Sequence, residues 1–185
     1  MRENAKTVPD EFRDLGRELR QGAGRELRVE AATDEELSEI QRRRRLDLAA
    51  AMRMAMHRGD RVTAAVGGLT LSHPVLAVGS DYLTMTDGSA VIDVRLDGAG
   101  LTVEPRPTGG ASGRPASPTF RARLAELEQE EGEVEAMTRQ GQRVAGRLDV
   151  TAVDHLVIAD VSGSMTYLPY EEVVVVFSRF PPRPG

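Results

Sequence analysis

The 185-residue sequence predicts a mainly β chain with helices, of the α+β class: two small, bent antiparallel β-units, each preceded by a helix. An internal repeat is the strongest reason. The run from Gly68-Leu69-Thr70-Leu71 through Val75 to Met85 returns 73 positions later, so that Gly68 falls on Gly141, Asp81 on Asp154, Tyr82 on His155 and Leu83 on Leu156. Val91-Ile92-Asp93-Val94 finds a looser echo in Tyr167-Leu168-Pro169-Tyr170. Self-similarity at a fixed spacing marks a duplicated structural unit. A second reason is the change from helical to strand-like apolar spacing at Gly59-Asp60. A third is the punctuation of short apolar runs by Gly67-Gly68, Gly79-Ser80, Asp87-Gly88 and Asp97-Gly98, which are hairpin-turn pairs.

Residues 1 to 32 are polar and broken by Gly16, Gly22 and Gly24, and read as a mobile N-terminal arm. Thr33-Asp34-Glu35-Glu36 has the form of a capping box, with Thr33 as N-cap and Glu36 reaching back. Leu37, Ile40, Leu46, Leu48, Met52, Met54 and Met56 then extend a predicted helix from Asp34 to His57, stopped by Gly59. Short strands follow from Arg61 to Val103, so residues 33–104 form the first helix-plus-β unit. Residues 105–117, rich in Pro, Gly and Ser, read as a linker. Ser117-Pro118 offers an N-cap and a first-turn proline to a second helix with Phe120, Leu124 and Leu127 on its apolar face. The second unit spans residues 118–180, and its last strand, Val173-Val174-Val175-Val176-Phe177, is apolar on both faces and must be covered on both. Residues 181–185 form a tail.

Composition narrows the function. With no cysteine, disulfides, thiolate metal sites and cysteine nucleophiles are excluded. The N-terminus lacks the apolar core of a signal peptide and no run is long enough to span a bilayer, which predicts a cytoplasmic protein with no membrane partner. A net charge of −5 disfavours nucleic acid as a partner, because phosphate binding rests on cation density. Lys6 is the one lysine; arginine carries nearly all the positive charge, as in chains from high-GC bacterial genomes.

Gly146-Arg147-Leu148-Asp149-Val150-Thr151-Ala152-Val153-Asp154-His155-Leu156-Val157-Ile158 resembles an Sm-like domain, and Val78-Gly79-Ser80-Asp81-Tyr82-Leu83 resembles it more weakly. The whole chain is similar to an uncharacterised actinobacterial group with this helix-plus-barrel duplication. The resemblance implies two Sm-like, more broadly SH3-like, barrels. In that family a glycine lets the second strand bend and an Asp enters the turn before the third. Its uridine-binding signature is an Asn after the turn Asp and an Arg-Gly pair in strand four. Asp154-His155-Leu156 and Tyr167-Leu168-Pro169-Tyr170 stand in those stretches and contain neither.

Several local patterns carry a sharper and a plainer meaning. Asp160-Val161-Ser162-Gly163-Ser164 resembles the metal-binding DxSxS loop of von Willebrand A domains, but Thr86-Asp87-Gly88-Ser89 stands at the repeat-equivalent place, which favours a hairpin turn. Arg42-Arg43-Arg44-Arg45 could grip phosphates; on a helix the four wrap the cylinder, with Glu36, Glu39 and Asp47 as ion-pair partners. Arg58-Gly59-Asp60 reads as a helix stop. His57, His73 and His155 have no metal-ligand spacing, so no metal and no cofactor are expected. No catalytic residues are assigned. The reading is a non-enzymatic interaction or scaffolding protein with a protein partner or self-association. The alternative is an RNA- or DNA-associated regulator using the Arg42–Arg45 helix. Partner or nucleic-acid contacts are expected from Arg42, Arg43, Arg44, Arg45, Tyr82, His155, Tyr167 and Tyr170.

Overall fold

The structure, a computed structural model, describes residues 40–41, 44–106, 113 and 115–179. The chain divides into two units, Met1–Leu46 and Asp47–Gly185. Of the first, Ile40, Gln41, Arg44 and Arg45 are helical and exposed. The Thr33 capping box, the arm, Arg42, Arg43, most of the linker and the tail lie outside the described residues.

The helix predicted from Asp34 to His57 does not run through. Leu46 and Asp47 are non-helical, and α1 spans Leu48–Arg58 with Asp47 as its N-cap. The Asp47 Oδ1 accepts the Ala50 N–H at 2.6 Å. A short acidic side chain that can bond an exposed first-turn amide favours a helix start over a helix interior. Gly59, at φ 76°, ends the helix as expected, in the left-handed conformation that only glycine adopts without steric cost. Ala49, Met52, Ala55 and Met56 form the buried face.

Among the described residues ten antiparallel strands form a single open sheet. They are β1 (Arg61–Val66), β2 (Leu69–Val78), β3 (Tyr82–Thr86), β4 (Ala90–Arg95), β5 (Gly100–Glu104), β6 (Glu133–Thr138), β7 (Arg143–Thr151), β8 (His155–Ala159), β9 (Met165–Pro169) and β10 (Val173–Arg179). Their order is β5-β1-β2-β3-β4-β10-β6-β7-β8-β9. Helix α2 (Phe120–Gln129) precedes β6. Its N-cap is Thr119, whose hydroxyl accepts the Ala122 N–H at 3.1 Å, and not Ser117 as the sequence implied. Ser117 is buried, and its hydroxyl donates to Glu126 on the helix. The two expected units are thus continuous halves of one sheet.

The duplication is visible in the pairing itself. Arg61 lies opposite Glu104 in the first half, and Val134 opposite Ser178 in the second. The register shifts once between β2 and β3, between Val75 and Ala77, and again between the duplicates Leu148 and Val150. A bulge of this kind increases twist and bends the strand. Gly146 precedes this bulge in β7, and a Cβ there would come within 2.3 Å of the Ala159 carbonyl oxygen. The echo in the fourth strands is corrected. Val94 faces Leu83 and Leu168 faces Leu156, so Val91–Val94 duplicates Met165–Leu168 and not Tyr167–Tyr170. The second hairpin is one residue longer: four residues lie between Thr86 and Val91, five between Ala159 and Met165.

β10 joins the halves. It pairs with β6 of its own half on one side and with β4 of the first half on the other. Val174 and Val175 enter the first core, with Met52, Val62, Leu83, Met85, Ile92 and Val94. Val173 and Val176 enter the second, with Phe120, Leu124, Leu148, Leu156 and Ile158. A strand apolar on both faces is covered on both, as its composition required. The exchange is mutual, because Tyr82 from the first half belongs to the second core.

Candidate functional site

The outer edge beyond β8 is built by alternation. Leu156 and Ile158 point into the second core, which leaves His155, Val157 and Ala159 on the other face. Val150 lies opposite Val157, and Val157 opposite Tyr167, so the three make one row across β7, β8 and β9. Val157 is buried in the middle of that row, whereas Tyr167 is 62% exposed and Met165, two residues before it, 55%. The rings of His155 and Tyr167 lie 5.6 Å apart. His155 Nδ1 is 2.7 Å from Asp154 Oδ1, and this hydrogen bond holds the Asp154 carboxyl below its ordinary value. Among the described residues β9 has a partner strand on one side only. An unpaired strand carrying exposed apolar side chains is a template for another chain.

Tyr82 and Tyr170, also expected at a contact surface, are instead buried around Phe120. Their ring centroids lie 6.0 and 6.2 Å from that of Phe120. The guanidinium groups of Arg95 and Arg121 stand 5.0 and 4.6 Å from the Tyr170 centroid. Arg95 also donates to the Tyr170 carbonyl at 3.0 Å, and the Tyr82 hydroxyl donates to the Ser117 carbonyl at 3.3 Å. Burial pushes both phenols above their ordinary values. These rings fasten the halves together. Of the eight sequence candidates, the structure brings together only His155 and Tyr167 at an exposed place. Arg44 and Arg45 are exposed in the other unit, and Arg42 and Arg43 fall outside the described residues.

The Asp160 loop is a hairpin turn closed on itself. Asp160 Oδ1 accepts from the Ser162 N–H at 2.8 Å, the Ser164 N–H at 2.9 Å and the Ser162 hydroxyl at 2.7 Å. Asp87 repeats this with the Ser89 N–H at 2.7 Å, the Ala90 N–H at 2.8 Å and the Ser89 hydroxyl at 2.9 Å. In both turns these bonds hold the carboxyl below its ordinary value, the Ser162 hydroxyl leading for Asp160 and the Ala90 amide for Asp87. Oxygens that would be ligands are engaged by the turn itself. Among the described residues no group of three or more His, Asp or Glu side chains is placed to hold a metal ion. A surface hollow of about 230 Å³ beside β6 and β7 contains Glu135 and Arg143, which pair with each other at 2.9 Å.

Sequence reasoning missed one functional element of the fold. Asp93, in the middle of the apolar run Val91–Val94, is wholly buried and pairs with Arg123 of α2 at 3.0 Å. A lone carboxylate within an apolar strand was the available signal, since a buried charge requires a partner.

Among the described residues no helix is long and apolar enough to cross a membrane. Neither a scan against protein-family models nor a search of curated proteins finds a match to this chain.

Proposed function

We propose that the chain is a non-enzymatic interaction and scaffolding protein of the cytoplasm, built from two Sm-like, SH3-like barrel units fused edge to edge, which engages a protein partner along β9. The observation that carries this reading is the open β9 edge, where Tyr167 and Met165 stand exposed on the strand beyond the buried Val157. The barrel assignment is supported by the repeated strand order and by the bulge that recurs at the same place in each half. Main-chain bonds along an edge strand supply affinity, and side chains such as Tyr167 supply selectivity.

The test is purification without nuclease, followed by size exclusion with light scattering and the ratio of absorbance at 260 and 280 nm. A nucleic-acid-free protein whose association is lost in Tyr167→Asp is the expected result. Bound nucleic acid, released by salt and absent from a variant with Arg42 to Arg45 replaced by alanine, would overturn the reading in favour of the regulator.

A further inference from the structure

The turn between β2 and β3 seats the opening of α2. The Ser80 N–H donates to the Pro118 carbonyl at 2.9 Å, and the Asp81 Oδ1 accepts the Phe120 N–H at 2.7 Å. These two bonds bracket Thr119, the N-cap. Phe120 is fully buried there, and Arg123, the fourth helical residue, reaches Asp93 on β4.

The duplicate turn, between β7 and β8, has the same backbone. Gly79 donates its N–H to the Tyr82 carbonyl at 3.0 Å, and Ala152 donates to the His155 carbonyl at 2.9 Å. Leu96 donates to the Asp81 carbonyl at 2.9 Å, and Tyr170 to the Asp154 carbonyl at 2.8 Å. Val153 and Asp154 therefore stand as Ser80 and Asp81 do, but face solvent. Val153 is 81% exposed, and its N–H bonds to no described residue. Arg121 holds only its carbonyl. The Asp154 carboxylate, 86% exposed, is bonded only to His155 among the described residues.

The surroundings differ, and the differences define what fits. Asp93 and Thr84, which hold Arg123 in the first half, are replaced by Tyr167 and Val157. Tyr82 is replaced by His155, whose ring lies 5.6 Å from that of Tyr167. Ala152 stands for Gly79, where a Cβ would fall 3.0 Å from the Ser117 carbonyl, so an incoming chain must take a different path before its Pro118 position.

We propose that Val153, Asp154, His155 and Tyr167 form a docking site for the opening turn of an amphipathic helix on a partner protein. The residue before its Ser or Thr N-cap offers a carbonyl to the Val153 N–H, and the residue after the cap donates its N–H to Asp154. The carboxylate thereby meets an unpaired first-turn amide and the positive end of the helix dipole. The first helical residue is aromatic, against His155, and the fourth is a large aliphatic, against Tyr167. A cation in the fourth place would find no carboxylate there. Helix α1 of a second copy lacks this form, because its fourth residue is Ala51 and its N-cap, Asp47, would bring a like charge to Asp154. The site rests on the interaction reading of the chain and needs no strand pairing at β9.

The probe is a fluorescent peptide with the sequence of residues 117–130 carrying Arg123→Leu, titrated with the full-length chain and followed by anisotropy. It should bind saturably. Asp154→Ala in the protein should weaken binding about tenfold, as should Phe120→Ala in the peptide. The peptide that keeps Arg123 should bind several-fold more weakly. The Asp154 side chain is mostly solvated, so Asp154→Ala should fold; if circular dichroism shows otherwise, the peptide variants decide alone. No saturable binding, or binding indifferent to Asp154→Ala and Phe120→Ala, would overturn the proposal. So would a preference for the Arg123 peptide, which marks exchange with α2 at the internal turn. Self-association lost in Asp154→Ala would assign the turn to a second copy and overturn it too. Association with another protein that is lost in Tyr167→Asp but kept in Asp154→Ala, with no peptide bound, would overturn this inference while leaving the β9 reading in place.

Discussion

Asp93 on β4 and Arg123 on α2 meet at 3.0 Å across the junction between the two halves, with the carboxylate wholly buried and the guanidinium mostly so. Thr84 donates to the same carboxylate at 2.6 Å, and Arg123 also reaches Glu126 at 3.2 Å. Removing one partner of a buried pair leaves the other charge uncompensated.

The two removals are unequal. Asp93→Asn leaves Arg123 with Glu126 and a path to water, whereas Arg123→Met leaves Asp93 with Thr84 alone. Arg123→Met should therefore cost more, on the order of 3–5 kcal/mol near neutral pH. Burial pushes the Asp93 carboxyl up, against the pull of Arg123 and Thr84. A raised carboxyl suits the fold below its unfolded value, about 4, and costs stability as pH rises through its folded value. The loss in Arg123→Met should thus grow from about pH 4 to about pH 7. Urea midpoints at the two pH values, in both variants, check this.

Because β10 supplies both cores, the halves should unfold together. Leu83→Ala in the first core and Leu156→Ala in the second should each cost about 2–5 kcal/mol. Each should shift one common thermal transition. Calorimetry that resolves two transitions, only one of them moved by either variant, would contradict the shared strand.

The two turn aspartates give an acid-side prediction. Their folded values are depressed, so their contribution is present above the unfolded value of about 4 and is lost as pH falls through the folded one. Carboxyl resonances of Asp87 and Asp160 should titrate below those of exposed aspartates, and Ser162→Ala should move Asp160 back upward.

Tyr167→Asp should leave the fold intact, within about 0.5 kcal/mol, because the side chain is mostly solvated. Association should be abolished. Circular dichroism with light scattering separates the two effects.

Much of the fold was legible because it is local. The register from Gly68 to Leu83 onto Gly141 to Leu156, the Gly59 stop and the paired turn aspartates all rest on short-range backbone chemistry. The two-faced apolarity of Val173–Val176 showed that this strand is sandwiched. What it pairs with was not legible, since strand pairing between distant segments leaves no mark in either sequence. The same limit hid the roles of Tyr82 and Tyr170. A tyrosine in a turn looks available until Phe120, from another element, is packed against it. The break at Leu46-Asp47 was not legible because Asp47, which caps α1, lies within one continuous apolar stripe. His155 and Tyr167 were legible as residues, but not as neighbours at a free edge.

Amide hydrogen exchange resolved by strand, in dilute solution, tests the central claim that β10 ties two duplicated halves into one sheet. β10 and β4, paired on both sides, should exchange among the slowest amides of the chain, with β5 and β9 among the fastest strands. β10 amides that exchange as readily as those of β9 would contradict it.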